Sequence, residues 1–529
     1  MVVVEFGYDE MKKLVDLPLK EMVEGLSSLG APSEYEPNTK KIVSELTPNR
    51  PDWYSMEGLA RALRAYYKKK HSDYAIRKSD YKVVVDPSVS KVRPYTVCGV
   101  VKGLEFNDQR IRDVVLLQEK LLATLGRRVK KFGVGVYPLH SIKFPIRYTT
   151  MKPEKIRYVP LGYEKEMSAE EILENHKKGK QYGDLIRNFK EYPVFVDAEK
   201  RIMCLIPIVN SAETGKVDES TTGVFVEVTG NDIHACKAAL NILVCTFADM
   251  GGEIYQVALQ YEKESFLSPD LSERKMKLDL KEVNKILGSD FTEKQVAALL
   301  QKMDYVYEKG AVSIPPYRAD VLGLVDVVED IAIAYGYNNF EKTVPDFFSS
   351  GEKIDPHAEA DRVMRGMGFL EISTFILTNK EKLQAVGWNG KSVEISNPSN
   401  VEYTTIRPTL VADMLDVFAT NKMKGLPQKF YEFGLVQNER TERKLIFGIM
   451  DKEVKFSDAR GYLQTLAREL GLGFVLEKQG YVLFEDEISC AVLSKNKKMG
   501  VFGKVRKPVL EKFGLGFDVY VCELSLPKQ

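Results

Sequence analysis

The chain has 529 residues, with 76 lysines and arginines against 75 aspartates and glutamates, a formal net charge of +1 and 44% hydrophobic residues. That length exceeds what one hydrophobic core organises, so three or four domains are expected. The balanced charge excludes nucleic-acid binding through bulk electrostatics and leaves only local contacts.

Six scattered cysteines, Cys98, Cys204, Cys236, Cys245, Cys490 and Cys522, form no C-x-x-C pair and no His/Cys cluster. Neither a zinc site nor a disulfide framework follows, and a reducing cytoplasm is the simplest location. The start MVVVEFGYDEMKK lacks a basic segment followed by an apolar one, and nowhere do eighteen uncharged apolar residues run together. A soluble protein that is not exported is expected.

Residues 1–75 read as an α+β domain: a strand-like start, an amphipathic segment from Leu17 to Leu29, then "NRPDWYSMEGLARALRAYY". There Met56, Leu59, Ala60, Leu63 and Tyr67 recur at helical spacing behind the start signal Pro51-Asp52, which predicts a core-facing stripe with Arg61 and Arg64 turned to solvent or a partner. Residues 80–262 hold short β-branched runs such as "YKVVVD" and "GVFVEVTG", broken by Pro and Gly, and read as a β-rich domain. Two helices are predicted within it, one capped by Ser168 and Glu171, the other over His234 to Asp249. Basic runs at Arg127–Lys131 and His176–Lys180 are expected on a solvated face, with RNA contact as the alternative.

Residues 265–345 are predicted as a helical module, with Thr292 and Gln295 forming a capping box ahead of Val296, Leu299, Leu300 and Met303. Residues 346–529 alternate helices with aromatic and β-branched strands. Asp355-Pro356 is expected to start a helix with Ala360, Val363, Met364 and Met367 inward, Gly368 to end it, and "FLEISTFIL" to follow as a strand. The predicted fold class is therefore α+β multidomain.

The run "IPPYRADVLGLVDVVEDIAIAYGYN" is apolar yet carries Asp320, Asp326, Glu329 and Asp330 without a lysine. On a helix from Leu322 to Tyr335, Val325, Val328, Ala332 and Tyr335 would be buried, and Asp326, Glu329 and Asp330 would share one patch at i, i+3 and i+4. Such like charges need an offset: water, a helix N-terminus, a basic partner or a hard divalent cation such as magnesium, which takes one or two carboxylates directly.

This run resembles the signature of the phenylalanyl-tRNA synthetase β-subunit family, class II, in its archaeal/eukaryotic form. The resemblance continues in order through "NRPDWYSMEGLARALRAYY", "RPYTVCGVVKGLEF", "LLQEKLLATLGRR", "IPIVNSAETGKV" and "FVEVTGNDIHACKAALNILVCTFADMGGEIY", and so spans essentially the whole chain. It implies a magnesium ion at Asp320, Asp326, Glu329 and Asp330, and a catalytic α subunit that binds ATP and phenylalanine in an (αβ)2 heterotetramer serving tRNA(Phe).

Residues 346–529 then correspond to a degenerate class II synthetase-like antiparallel core. Adenylate chemistry needs arginines set against the ATP phosphates. "KFYEFGLV" has no Arg-x-Glu, Asp518 stands in the glycine-rich run "KFGLGFDVYVCEL" where the third motif would lead into an arginine helix, and Arg407 stands isolated as a structural or interface residue. A catalytically silent core is expected.

The resemblance also implies that the β-rich domain hydrolyses tyrosine mischarged on tRNA(Phe), because a hydrophobic pocket rejects an added hydroxyl poorly. Asn210, Ser211, Glu213 and Thr214 of "NSAETG", with His140, are the candidate editing pocket that the resemblance implies; by residue type alone that loop reads first as an ordinary Ser/Gly turn. His71, His140, His176, His234 and His357 assemble no Ser-His-Asp set, so a water-mediated hydrolysis is expected. Where the family tends to carry His-Asp-Leu, this chain reads Tyr137-Pro138-Leu139, which weakens or reorganises editing. A stand-alone aminoacyl-tRNA deacylase and a non-enzymatic tRNA-binding scaffold with a decayed site are the rival readings.

Overall fold

The computed structural model describes residues 2–68, 70–344, 351 and 357–526. The chain divides into two compact units, Met1–Val344 and Pro345–Gln529. Both mix helix with sheet, giving the α+β class expected from the sequence.

The first unit begins with a three-stranded antiparallel sheet in which Lys41–Leu46 lies between Val2–Gly7 and Ser33–Glu36. Helices Tyr8–Val15, Leu19–Ser28 and Met56–Lys68 bury Met11, Met22, Leu26, Leu59, Ala60 and Leu63 in its core. The turn Pro51–Trp53 precedes the third helix, and a Cβ on Gly58 would lie 1.9 Å from the Asp52 carbonyl oxygen, so only glycine lets the turn fold back this closely.

Arg61 departs from expectation. It is 1% exposed, donating from Nη1 to Tyr74 Oη (2.7 Å) and Asp249 Oδ2 (3.0 Å) with its guanidinium 3.8 Å from the Tyr317 ring centroid. Arg64 reaches the other oxygen of Asp249 at 3.1 Å. The partners lie far along the chain, so helical phase alone gave a charged residue a solvent address that tertiary packing overrides. Nearby, His71 bridges Asp304 (2.9 Å) and Glu273 (3.2 Å).

Two sheets follow. One runs Val209–Asn210, Ile202–Leu205, Tyr192–Val196, Ile146–Met151, Lys82–Val85, Val257–Gln260, Ser265–Ser268. The other runs Ile76–Arg77, Glu253–Tyr255, Tyr95–Lys102, Gly223–Gly230, Phe132–Pro138. Helix Ile233–Asp249, capped by Asp232, packs on the two central strands of the second sheet, and the capping box of Ser168 and Glu171 opens helix Ala169–Asn175. A further helix, Asp108–Ala123, packs on the edge strand Phe132–Pro138; the sequence was not read as helical there.

A small module closes the unit: a three-stranded sheet, helix Leu280–Leu287, helix Glu293–Lys302 behind its Thr292/Gln295 capping box, and helix Leu324–Tyr335. The last helix buries Val327, Val328, Ile331 and Ala334, whereas Val325 is 65% exposed. Of the expected stripe, Val328 and Ala332 are buried, Tyr335 is half-buried and Val325, in the first turn, is left in solvent; the helix start is fixed by Asp326 accepting the backbone N–H of Leu322 and Gly323 (both 2.7 Å).

The second unit is built on a seven-stranded sheet ordered Leu370–Glu371, Gln428–Gln437, Thr441–Asp451, Asp518–Leu524, Lys497–Val505, Phe484–Ser494, Val475–Lys478, antiparallel except for the short first strand. Side chains alternate across it. Ile446 and Val521 join helix Val411–Asn421 on one face, and Leu445, Phe447 and Cys522 join helices Ala358–Gly366 and Phe456–Glu469 on the other. The helix start assigned to Asp355 and Pro356 lies outside the described residues. "FLEISTFIL" is no single strand: Leu370–Glu371 and Leu377–Thr378 belong to different sheets, and Phe375 between them is 73% exposed.

Candidate functional site

A cavity of about 570 Å³ opens in the β-rich region between helix Asp108–Ala123 and strands Phe132–Pro138, Ile202–Leu205 and Gly223–Gly230. That volume suits a small organic group. Ile111, Val114 and Leu122 of the helix, with Val134 and Val136 of the edge strand, make its wall apolar. The helix exists because Asn107 caps it by accepting the N–H of Arg110 (2.9 Å), and Leu117 and Leu121 anchor its inner face.

Glu227 and Thr229 line the cavity from a strand whose eight residues are all buried. Neither Glu227 Oε2 nor Thr229 Oγ1 meets hydrogen-bond geometry with a partner among the described residues, although the Thr229 hydroxyl lies near enough to favour the charged form of Glu227. Burial pushes the Glu227 carboxyl up to about 8, against the opposing influence of the Arg93 guanidinium and the hydroxyls of Tyr137 and Thr229. At neutral pH it is chiefly the uncharged acid, both a donor and an acceptor. Tyr137 Oη donates to Asn210 Oδ1 (3.2 Å) and lies 3.5 Å from Glu227 Oε1. Gly135 pairs with Glu227 across the ladder, and a Cβ there would sit 2.5 Å from Glu227 Oε1. Partnerless buried polar atoms beside a cavity are expected where a ligand supplies the missing bonds; Gln118, Glu119, Lys178 and Gln181 add polar groups to the same lining.

Of the residues singled out from the sequence, Asn210 lines this cavity. Ser211 instead caps the short helix Ala212–Gly215, Thr214 is buried with its hydroxyl 3.5 Å from the Met203 carbonyl, Glu213 pairs with Arg201 at 3.1 Å, and His140 is exposed. Glu227 and Thr229 were missed. The available signal was a lone carboxylate inside "VFVEVTG", a run otherwise suited to complete burial.

The acidic run is dispersed among several partners. Arg318 forks onto Asp320 (2.9 and 2.7 Å) and also donates to Asp330 (2.6 Å), which accepts Tyr305 Oη at 2.5 Å. Arg50 approaches Asp320 at 4.0 Å. Asp326 uses one oxygen on the helix start, and Glu329 is exposed. Among the described residues no group of three or more His, Cys, Asp or Glu is disposed to hold a metal ion. The Arg318 guanidinium neutralises Asp320 and Asp330, which leaves Asp326 and Glu329 as the carboxylates of the run without an arginine partner among the described residues.

In the second unit Arg407 is 2% exposed. It donates to Glu432 Oε1 (2.8 Å), Asp413 Oδ2 (3.3 Å), Thr374 Oγ1 (2.5 Å) and the Leu435 carbonyl (2.8 Å). Its role is structural. Asp518 pairs with Lys504 at 3.0 Å.

Comparison with known proteins fits this geometry. Residues 276–337 match the tRNA synthetase B5 domain and residues 343–526 the phenylalanyl tRNA synthetase beta chain CLM domain, which makes this a chain of aminoacyl-tRNA synthetase type. The phenylalanine–tRNA ligase beta subunit of Archaeoglobus fulgidus is 36% identical, covering 99% of this chain and 98% of that one; that of Methanosarcina barkeri is 33% identical, covering 99% of each. A crystal structure of an N-terminal fragment of the phenylalanyl-tRNA synthetase beta subunit from Pyrococcus horikoshii matches with a TM-score of 0.60 and 30% identity, over 63% of this chain and 99% of the fragment. The chain belongs to the phenylalanine–tRNA ligase beta-subunit family. No helix among the described residues is long and apolar enough to cross a membrane.

Proposed function

We propose that this chain is the β subunit of a cytoplasmic phenylalanine–tRNA ligase: it braces a catalytic α subunit in an (αβ)2 assembly, contacts tRNA(Phe), and hydrolyses tyrosyl-tRNA(Phe) in the cavity at Glu227. ATP and phenylalanine are bound by the α subunit. One observation carries the editing reading: Glu227 Oε2 and the Thr229 hydroxyl, buried and without a partner, on a strand that lines the cavity. A tyrosyl hydroxyl completes both, whereas a phenylalanyl ring leaves them unpaired. A site built around a missing hydroxyl discriminates by up to about 10⁴–10⁵. The Tyr137 hydroxyl lies 3.5 Å from Glu227 Oε1 and donates to the cavity-lining Asn210 (3.2 Å), which supports Tyr137 as part of a reorganised site in place of a decayed one. Hydrolysis itself needs only a water held against the ester carbonyl, since no nucleophile–histidine pair faces the chamber.

The reading is tested on the α–β complex. Glu227→Leu should lower deacylation of tyrosyl-tRNA(Phe) at least a hundredfold with phenylalanylation unchanged; equal deacylation by both proteins would sink it. A scaffold would show no deacylation at all, and a stand-alone deacylase would act without α and fail to co-purify with it.

For magnesium, Asp326 and Glu329 are proposed as the direct carboxylates, with Asp320 and Asp330 holding Arg318 behind them. Asp326 stands at the third helical position and uses one oxygen on the Leu322 and Gly323 N–H groups, which an asparagine oxygen can also accept, so Asp326→Asn should cost no more than about 1 kcal/mol of folding stability. It should lower magnesium affinity or loosen the α–β assembly, read by calorimetric titration and sedimentation. If neither moves, the patch is a solvated face.

A further inference from the structure

Beside the cavity the backbone takes a form that L-residues avoid. Arg127, Arg128 and Val129 have φ of 48°, 54° and 67°, three successive non-glycine residues in the left-handed region, the last of them β-branched. The turn is held from several sides. Val129 N donates to the Leu122 carbonyl (3.2 Å) and Lys131 N to that of Gly126 (2.9 Å). Buried Arg93 donates to the Val129 carbonyl (3.1 Å) and, through two nitrogens, to the Thr229 carbonyl (3.1 and 3.0 Å). One guanidinium thus ties the turn to the strand that carries Glu227 and Thr229.

The result divides the turn in two. Val129, 1% exposed, becomes part of the cavity wall, while Arg127 and Arg128 stand in solvent. Among the described residues neither has a carboxylate partner, although Lys131 two positions on is paired with Asp232 at 2.9 Å. Lys178 and Lys216, which line the cavity, are equally without one. An ordinary solvated face needs no such backbone; left-handed residues persist where packing enforces them, and they cluster at ligand sites.

We infer that Arg127 and Arg128 are positioning residues for the nucleic-acid end of the substrate: they hold the phosphodiesters next to the 3′-terminal ester while the aminoacyl group enters the chamber walled by Val129. The inference rests on the editing reading above. Guanidinium forks match phosphate oxygens in pairs, and the buried acid of the chamber, uncharged at neutral pH, does not repel the polyanion.

The test uses the α–β complex carrying Arg127→Asn with Arg128→Asn, since asparagine tolerates the left-handed region and removes only the charge. For tyrosyl-tRNA(Phe), KM should rise about tenfold at near-constant kcat, and the slope of log(kcat/KM) on log salt should become shallower by about 1.4, two single-strand phosphates at about 0.7 each. Hydrolysis of 3′-O-tyrosyl-adenosine, which has no phosphodiester, should not change, and the Arg127→Lys with Arg128→Lys pair should recover most of the KM. An unaltered KM and salt slope, or tyrosyl-adenosine hydrolysis falling in step, overturns the assignment. Failure of the unmutated complex on both substrates is a different result: it removes the editing reading, and this inference with it.

Discussion

The two units each bury a cluster of charged and polar side chains, and the two clusters are finished to different degrees. Around Arg407, Glu432, Asp413, Thr374 and the Leu435 carbonyl meet the guanidinium, and none of the four side chains leaves a buried polar atom unpartnered. Around Glu227, a carboxyl oxygen and a threonine hydroxyl on a strand that lines the cavity lack a hydrogen-bond partner among the described residues. A set that satisfies itself is closed to ligands and serves rigidity. A set left incomplete costs stability and persists where an incoming molecule completes it. The strand Gln428–Gln437 offers Glu432 to this internal partner.

The comparison breaks most readily at Arg407. Arg407→Met strands Glu432 and Asp413 without their counter-ion, and should cost about 3–5 kcal/mol in urea unfolding of the chain; a loss under 1 kcal/mol would show that the cluster is not self-completed. Asp413, already pushed up to about 7 by burial, should then take up a proton at still higher pH.

Next in size is Glu227→Gln. Between about pH 4.5 and 8 the folded chain keeps the Glu227 proton and the unfolded chain has released it, so wild-type stability falls as pH rises, by at most about 1.4 kcal/mol per pH unit from this group. The glutamine variant lacks that decline. Its melting temperature should match wild type near pH 5 and exceed it near pH 8, and parallel curves would mean that the carboxyl is not held uncharged.

The smallest effect is expected at the partly exposed His71, an intermediate case. Its hydrogen bond to Asp304 raises it to about 9, so its stabilisation is complete below the unfolded value near 6.5 and is lost as pH climbs through 9. His71→Gln should cost about 1 kcal/mol at pH 7 and nothing at pH 10.

Local signals were legible in the sequence. The capping boxes at Ser168/Glu171 and Thr292/Gln295 and the middle of the expected stripe, Leu59, Ala60 and Leu63, needed only their neighbours in the chain, whereas Met56 is half-buried and Tyr67 is exposed at the stripe's ends. Long-range ones were not. Arg61 reads as a solvent residue until Asp249, from the end of another helix, meets it. Helix Asp108–Ala123 is too polar for its stripe to stand out, yet it forms a wall of the cavity. In the acidic run the residue types were visible, but their allocation to Arg318 and a helix start depends on side-chain direction. Asn210 was found by its loop chemistry, whereas Glu227 and Thr229 sit in a strand that pattern reading treats as plain core.

Gly135 contributes to the chamber by leaving something out. The hollow that receives the Glu227 carboxyl exists because its neighbour across the ladder stops at Cα. A single methyl added there would displace the acid with no ligand contact touched. Part of the selectivity assigned to this chamber is therefore encoded as vacancy, at a position that a search for reactive atoms would pass over.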